Sequence, residues 1–359
     1  MLIVMHRNAT ELQVNEAIDA IEKLGYKGHT NPGVHRTVIN VTGKVETADA
    51  QRLEGLPGVM EVILVTKPYK LADIESNPKG TSIAVGDIEI GVDRPIIIAG
   101  PCAVESREQI IGAAEAVKGM GANILRGGAF KPRTSPYSFQ GLGVEGLRIL
   151  EEARHQTGLP IISEALDTES FPAVETVVDI IQIGARNMQN YALLKRAGRS
   201  RKPVMLKRGM WATLTELLAA AEYIMSEGNH KVILCERGIR THSNHTRYTL
   251  DLSSIPVLRT MTHLPLIVDP SHAAGNRDLV IPLALGGLAV GADGIMVEVH
   301  PNPQEALVDG AQSLTLDMFK ELMGTIETGD ILQRQFNIRQ GETDDGVPVE
   351  SKALHSVNT

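Results

Sequence analysis

The sequence predicts an α/β chain: a (β/α)8 barrel preceded by a small ferredoxin-like βαββαβ domain. Three observations carry that expectation. Between residues 95 and 338, eight short, nearly continuous apolar runs alternate with helical stretches. Parallel strands buried on both faces read this way, and eight of them over roughly 250 residues match a closed barrel. Residues 1–70 follow another rhythm, strand, helix, strand, strand, helix, strand, which is the ferredoxin-like order. Finally, 359 residues are about 2.4 average domains, enough for one large unit and one small one.

Taken in order, Leu2 to Met5 is an apolar strand, and Thr10-Glu11-Leu12-Gln13 has the capping-box pattern that opens a helix. Val14, Ala17, Ile18, Ile21 and Leu24 then recur on one helical face, with Gly25 placed to stop it. Thr37 to Val41 is a strand, Thr47 to Leu56 a short helix, and Val59 to Val65 the closing strand. Pro68, Asn77-Pro78 and Gly80 punctuate a polar linker, and Ser82 to Val85 with Ile88 to Val92, turned at Gly86-Asp87, predicts a hairpin. Residues 71–94 are therefore expected to be a linker with a hairpin that caps the barrel. The eight runs follow: Ile96 to Ala99, Asn123 to Leu125, Pro160 to Ser163, Ile180 to Ile183, Val204 to Leu206, Val232 to Cys235, Leu266 to Val268 and Ile295 to Val297. An open doubly wound sheet is the rival arrangement for such alternation. After Ile331 the chain turns polar, and residues 339–359 are expected to be a flexible tail.

Composition narrows the function. With 35 Lys+Arg against 43 Asp+Glu, the net charge is −8, which disfavours nucleic acid as a partner. At 3% aromatic residues, few stacking platforms exist for single strands, so small ligands are expected. Cys102 and Cys235 are the only cysteines, too few for a disulfide framework, which points to a reducing compartment and the cytoplasm. The apolar start at Leu2 to Met5 is too short for a signal peptide. The longest uncharged stretch, Leu279 to Ala292, is broken by Pro282 and Gly286-Gly287 and falls short of the roughly 18 residues a bilayer requires. No membrane association is expected.

The strand ends carry the chemistry. In order they are Cys102, Arg126, Glu164, Arg186, Lys207, Arg237, Asp269 with His272, and Glu298 with His300. In a barrel, carboxyl-end residues face one mouth. Arg126, Arg186, Lys207 and Arg237, joined by Lys131 and Arg133 from the loop after the second strand, would concentrate positive potential there. Singly, each reads as well as a snorkelling or salt-bridged rim residue. Converging in a chain of net charge −8, they suit a compact polyanion bearing phosphate and carboxylate. Cys102, His272, Glu298 and Asp309 come from the first, seventh and eighth strands and the loop after the eighth, neighbours once the barrel closes. One thiolate, one imidazole and two carboxylates would suit a single divalent ion of Mn, Fe, Co or Zn rather than magnesium or calcium. No two of them form a short ligand motif, so an inert buried thiol at Cys102 and a turn role for Asp309 in Val308-Asp309-Gly310 stay open.

Other features read as structure. Gly141-Leu142-Gly143-Val144-Glu145-Gly146 matches the dinucleotide fingerprint but follows no strand, and a helix-entry loop suits it better. His242 and His245 read as solvated loop residues, and Cys235 as core. Lys207 at a strand end would also suit a Schiff-base lysine, which keeps a class I aldolase as an alternative.

Several segments resemble one family. Ala99-Gly100-Pro101-Cys102, Leu125-Arg126-Gly127-Gly128-Ala129-Phe130-Lys131-Pro132-Arg133-Thr134-Ser135, Gln182-Ile183-Gly184-Ala185-Arg186-Asn187, Leu206-Lys207-Arg208-Gly209, Cys235-Glu236-Arg237-Gly238 and Asp269-Pro270-Ser271-His272 are similar to the 3-deoxy-D-arabino-heptulosonate 7-phosphate (DAHP) synthases. The layout resembles the branch with an N-terminal ferredoxin-like (ACT-like) regulatory domain, and the likeness runs from about residue 1 to 335. Sister synthases of the eight-carbon sugar acid phosphate, which use arabinose 5-phosphate, carry a Lys-Ala-Asn-Arg-Ser-type segment where this chain has Lys131-Pro132-Arg133-Thr134-Ser135; they remain the nearest alternative.

The resemblance implies a metal-dependent aldol-type condensation of phosphoenolpyruvate with erythrose 4-phosphate, the first step of the shikimate pathway to aromatic amino acids. It implies Cys102, His272, Glu298 and Asp309 as metal ligands. It assigns Arg126, Lys131, Gly184, Ala185, Arg186, Lys207 and Arg237 to phosphoenolpyruvate, with Glu164 near them, and Lys131, Pro132, Arg133, Thr134 and Asp309 to erythrose 4-phosphate. Lys131, Glu164, Lys207 and His272 are the implied catalytic groups. It also implies feedback by tyrosine or phenylalanine through the front domain docking over the barrel mouth, with His29 in an effector-contacting loop, and a homo-oligomer, commonly a tetramer.

Overall fold

The computed structural model describes residues 1–32, 36–43, 47–63, 67–92, 94–133 and 135–328. Thr134, the expected end of the barrel after residue 328 and the expected tail lie outside the described residues.

The front unit contains β1 (Leu2–Met5), α1 (Glu11–Lys23), β2 (Lys27–Pro32), β3 (Thr37–Thr42), α2 (Thr47–Glu54) and β4 (Val59–Ile63). Its strands form one sheet in the order β2-β3-β1-β4 with antiparallel pairing. The Thr10 hydroxyl accepts from Gln13 N at 3.3 Å and the Gln13 side chain accepts from Thr10 N at 2.9 Å, closing the capping box. Gly25 follows at φ +83°, where a side chain would be strained. Ile3, Met5, Ala17, Ile21, Ile39, Val41 and Leu53 form the core between sheet and helices. α2 ends two residues before the expected Leu56. The residues around His29 are not a loop: His29 lies in edge strand β2, opposite Asn40 of β3. Lys27-Gly28-His29-Thr30-Asn31-Pro32 has no alternating apolar pattern to announce a strand; its backbone pairing to β3 forms it instead.

The hairpin is present as β5 (Ile83–Val85) and β6 (Ile88–Ile90). Its Ile83, Val85 and Ile90 pack with Ile96, Ile98, Ile124, Ile162, Ile180, Met205, Ile233, Ile267 and Met296, the inward-facing layer of the barrel. The hairpin therefore stoppers the amino end. The barrel strands are β7 (Ile96–Gly100), β8 (Ile124–Arg126), β9 (Ile161–Glu164), β10 (Ile180–Ile183), β11 (Val204–Lys207), β12 (Val232–Glu236), β13 (Leu266–Val268) and β14 (Gly294–Glu298). Each starts and ends within one residue of its apolar run. They close in order, β14 pairing in parallel with β7, so the open sheet is excluded. Helices α3 (Arg107–Gly119), α4 (Val144–Thr157), α5 (Phe171–Val177), α6 (Tyr191–Gly198), α7 (Leu214–Met225), α8 (Ser254–Met261), α9 (Pro270–Ala274), α10 (Val280–Ala289) and α11 (Leu316–Glu327) accompany these strands among the described residues. Among the described residues, no helix is long and apolar enough to cross a membrane.

The front unit does not cover the mouth of its own barrel. His29 meets His230, ring centroids 6.0 Å apart, in the loop that precedes β12. Glu222, near the end of α7, accepts from Leu71 N and Ala72 N, both at 3.0 Å, and His263, before β13, is within hydrogen-bonding distance of Leu71 O at 2.7 Å and Thr81 Oγ1 at 2.6 Å. All three barrel residues lie at the amino ends of the strands. Leu71 and Ala72 are anchored on that side, where the hairpin also enters, so the front unit lies opposite the mouth.

Candidate active site

An open cavity occupies the carboxyl-end mouth. It is lined by all six cations expected there, Arg126, Lys131, Arg133, Arg186, Lys207 and Arg237, together with Pro132, Glu164, Gly184, Ala185, Cys102, His272 and Asp309. Arg126, Lys131, Lys207 and Arg237 are nearly buried, at 5%, 8%, 4% and 6% exposure, a placement that only paired or ligand-facing cations tolerate. Arg126 Nη2 lies 3.2 Å from Glu298 Oε1, yet its Nη1 is buried without a hydrogen-bond partner. Arg237 stacks 4.4 Å over the Tyr248 ring and likewise has a buried, unpartnered Nη1. Two guanidinium donors left over at one mouth are what a phosphate or carboxylate would satisfy.

Beside them, ligand atoms of Cys102, His272, Glu298 and Asp309 all lie within 4.8 Å of one another. Barrel closure supplies the approach: β7 runs into Cys102, β13 into the Asp269 cap of α9 that carries His272, and β14 ends on Glu298. Asp309 adopts φ +55°, the one non-glycine residue at positive φ among the described residues. It starts the single-turn helix Gly310–Gln312, so the turn role and the inward aim coexist.

The donor set fits a divalent ion of borderline softness. Burial, reinforced by Glu298, pushes the Cys102 thiol up, so a thiolate there calls for a cation. Lys131 Nζ is near at hand, 3.0 Å from Sγ and 2.8 Å from Cys102 O. Burial also holds His272 below its ordinary value despite Asp269 and Glu298, favouring the neutral ring that metals bind. His272 Nδ1 faces Asp269 Oδ2 at 2.7 Å, which leaves Nε2 turned to Glu298 Oε1 at 3.2 Å. Glu298 Oε1 itself is buried without a hydrogen-bond donor. A buried carboxylate oxygen with no hydrogen bond, an imidazole oriented from behind by a carboxylate and a buried thiol match the requirements of a metal centre.

Asp269 ties the two halves of the site. Fully buried, it also accepts from Lys207 Nζ at 2.5 Å. Burial opposes its charge, but His272 and Lys207 hold its carboxyl well below the usual carboxylate range. Lys207 is thereby held against Asp269 at the wall of the cavity. Glu164 Oε2 accepts from Gln182 Nε2 at 3.1 Å, and Gly184 sits so close that an added Cβ would stand 2.0 Å from Glu164 Oε1.

Some expectations fall elsewhere. His300 turns away from the cavity toward Glu105, 3.6 Å off. His242 and His245 are exposed and outside the metal-type cluster. Cys235 is buried in the inward layer of the barrel, its thiol pushed up to about 12 by burial. Gly143 caps the start of α4 with no strand before it, as a helix-entry loop would. Conversely, Arg247, Gln182 and Tyr248 line the cavity without having been singled out; they lie on loops or in mid-strand, where no periodicity or spacing marks them.

Known proteins resemble this chain. The profile of the DAHP synthetase I family matches residues 70–333, and that of the DAHP synthase ferredoxin-like domain matches residues 1–67. The phospho-2-dehydro-3-deoxyheptonate aldolase of Thermotoga maritima is 50% identical over 323 residues, 90% of this chain and 96% of its own. A 2-dehydro-3-deoxyphosphooctonate aldolase of Syntrophotalea carbinolica is 35% identical over 261 residues, 67% of this chain and 93% of its own. The crystal structure of the Thermotoga maritima DAHP synthase superposes with a TM-score of 0.74 at 48% identity, covering 92% of this chain and 97% of that one. The chain therefore belongs to the DAHP synthase family of aldol-type transferases, in the form that carries a ferredoxin-like domain ahead of an eight-stranded barrel.

Proposed function

We propose that this enzyme condenses phosphoenolpyruvate with erythrose 4-phosphate to give DAHP and inorganic phosphate, the first step of the shikimate pathway, with one divalent ion of Mn, Fe, Co or Zn held by Cys102, His272, Glu298 and Asp309. The observation that carries the reading is a mixed sulfur, nitrogen and oxygen donor cluster opening into the same cavity as six cations. Two phosphates and a carboxylate need that many matched donors. Lys131-Pro132-Arg133 at the rim favours the four-carbon aldose over arabinose 5-phosphate. The ion, when bound, supplies a Lewis acid for the sugar aldehyde.

The chain's own residues do the rest. Arg126, Arg186, Lys207 and Arg237, with the backbone at Gly184 and Ala185, hold phosphoenolpyruvate, while Pro132, Arg133 and Thr134 shape the aldose phosphate site. Lys131, beside Cys102, delivers a proton to the alkoxide that forms as C3 of phosphoenolpyruvate bonds to the aldehyde carbon. Glu164, across the cavity, and Lys207 orient the water that adds to C2, after which the C2–O bond to phosphate breaks. Heavy oxygen from water should therefore enter the keto acid; its appearance in the released phosphate would refute this cleavage.

Residues 1–70 serve in this reading as a regulatory domain for tyrosine or phenylalanine, with His29 at the effector site, residues 71–94 as linker and capping hairpin, and residues 95–338 as the catalytic barrel of a cytoplasmic homotetramer. Phosphate release from phosphoenolpyruvate, measured with erythrose 4-phosphate and with arabinose 5-phosphate before and after metal stripping, tests the whole. Release should need erythrose 4-phosphate and return with manganese or cobalt. Faster turnover of arabinose 5-phosphate, or activity indifferent to stripping, would overturn it.

A further inference from the structure

Each acidic member of the donor cluster presents one oxygen inward and has the other held from outside. Asp309 Oδ2 accepts from Cys102 Sγ at 3.2 Å, whereas Oδ1 accepts from Arg247 Nη1 at 3.3 Å. Glu298 Oε1 faces His272 Nε2 and Arg126 Nη2, whereas Oε2 accepts from Gln312 Nε2 at 2.6 Å. The two outer partners are themselves joined, Arg247 Nη1 donating to Gln312 Oε1 at 3.1 Å. One polar chain, Asp309–Arg247–Gln312–Glu298, thus runs around the back of the cluster.

Its polarity is forced. A primary amide has a donor end and an acceptor end and can turn end for end. Arg247 offers only donors and an ionised Glu298 only acceptors, so one orientation of the Gln312 amide satisfies both. Gln312 is 2% exposed, which denies a misturned amide any water. Backbone geometry fixes the chain at both ends. The left-handed turn that aims Asp309 inward starts the single-turn helix that brings Gln312 onto Glu298. Arg247 N and Tyr248 N donate to Ala274 O and Ala273 O of α9, at 3.2 and 2.8 Å, docking the Arg247 loop on the helix that carries His272.

We propose that Arg247 and Gln312 are positioning residues that fix which oxygens of Asp309 and Glu298 face the bound cation. The assignment rests on the metal-site reading above. It does not require either residue to touch a reacting atom. Carboxylates free to rotate would bind the ion less tightly, whatever the fate of the substrates.

The test uses the full-length enzyme, stripped of metal and titrated with cobalt(II) against a competing chelator, so that the readout is affinity rather than turnover. Arg247→Ala and Gln312→Leu should each weaken cobalt binding by about 10–100-fold, the cost of losing partners behind metal ligands. The double variant should be no more than about threefold worse than the weaker single, because both act through one chain. The sulfur-to-cobalt absorption from Cys102 should survive in every variant while the ligand-field bands shift. Should Gln312→Leu fail to fold, Arg247→Ala still decides, since that side chain is 38% exposed. Cobalt affinities within about twofold of the parent, or fully additive losses, would overturn the assignment. A parent protein that binds no cobalt would overturn the metal reading itself, a distinguishable result.

Discussion

Replacing Asp269 with asparagine removes one charge and keeps the number of heavy atoms. In the parent, Asp269 Oδ2 sits 2.5 Å from Lys207 Nζ and 2.7 Å from His272 Nδ1, and Oδ1 accepts from His272 N at 3.1 Å. The amide of Asp269→Asn can offer its oxygen to only one of these sides. Lys207, with 5% of its side chain exposed, would be left as a buried ammonium without its counter-charge. Breaking a buried pair this way costs about 3–5 kcal/mol, and for a domain of this size that corresponds to a fall in Tm on the order of 10 °C. The imidazole loses the charge of its rear partner too, so metal affinity should fall by about 10–100-fold. Calorimetry of stripped and loaded enzyme, followed by chelator competition, measures both. The sign with pH is fixed by the depressed carboxyl. Its stabilisation is fully present above the unfolded value of about 3.9 and is lost only as pH falls through the much lower folded value, so the difference between parent and variant should stay constant from about pH 8 to 5. A Tm within about 2 °C of the parent together with unchanged metal affinity would refute the reasoning.

Gly184→Ala should lower kcat/KM for phosphoenolpyruvate by about 100-fold, because the methyl would displace Glu164, 2.0 Å from its Cβ, and misplacement by an ångström costs that order; steady-state kinetics with unchanged circular dichroism checks it. His29, His230 and His263, at the joint between the units, are all held below the ordinary histidine value first by burial. Their contribution is complete above the unfolded value of about 6.5 and is lost as pH falls below it. Tm should therefore fall between about pH 7.5 and 5.5, with a flatter slope in His263→Asn; an identical slope in that variant would count against the joint. Deleting residues 1–70 should leave phosphate release intact and abolish inhibition by tyrosine or phenylalanine, read in one inhibition assay; inhibition that survives the deletion would refute the regulatory assignment.

The barrel was legible because its signal is local. Ile96 to Ala99 or Val204 to Leu206 must be apolar on both faces wherever a buried parallel strand lies, and strand ends then follow by counting. Arg126, Lys207 and Glu298 were legible for the same reason, each being the last residue of its strand. Asp269 was visible as a strand end, but not its double duty toward Lys207 and His272, since that depends on side chains meeting across the mouth. Arg247 and Gln312 occupy a loop and a single-turn helix with no periodicity, and only the folded chain brings them together. The place of the front unit was misjudged for a related reason: His230, His263 and Glu222 are isolated polar residues, and nothing in their neighbourhood marks a docking surface. β2 escaped because its partner β3, not its own composition, makes it a strand.

The measurement that bears most directly on the account is X-ray absorption at the edge of a metal loaded into stripped enzyme, with zinc as the simplest choice. One sulfur at about 2.3 Å and nitrogen or oxygen neighbours at about 2.0–2.2 Å are expected, with the sulfur lost in Cys102→Ala. A shell of light atoms alone in the parent enzyme, or a sulfur that persists in Cys102→Ala, would contradict it.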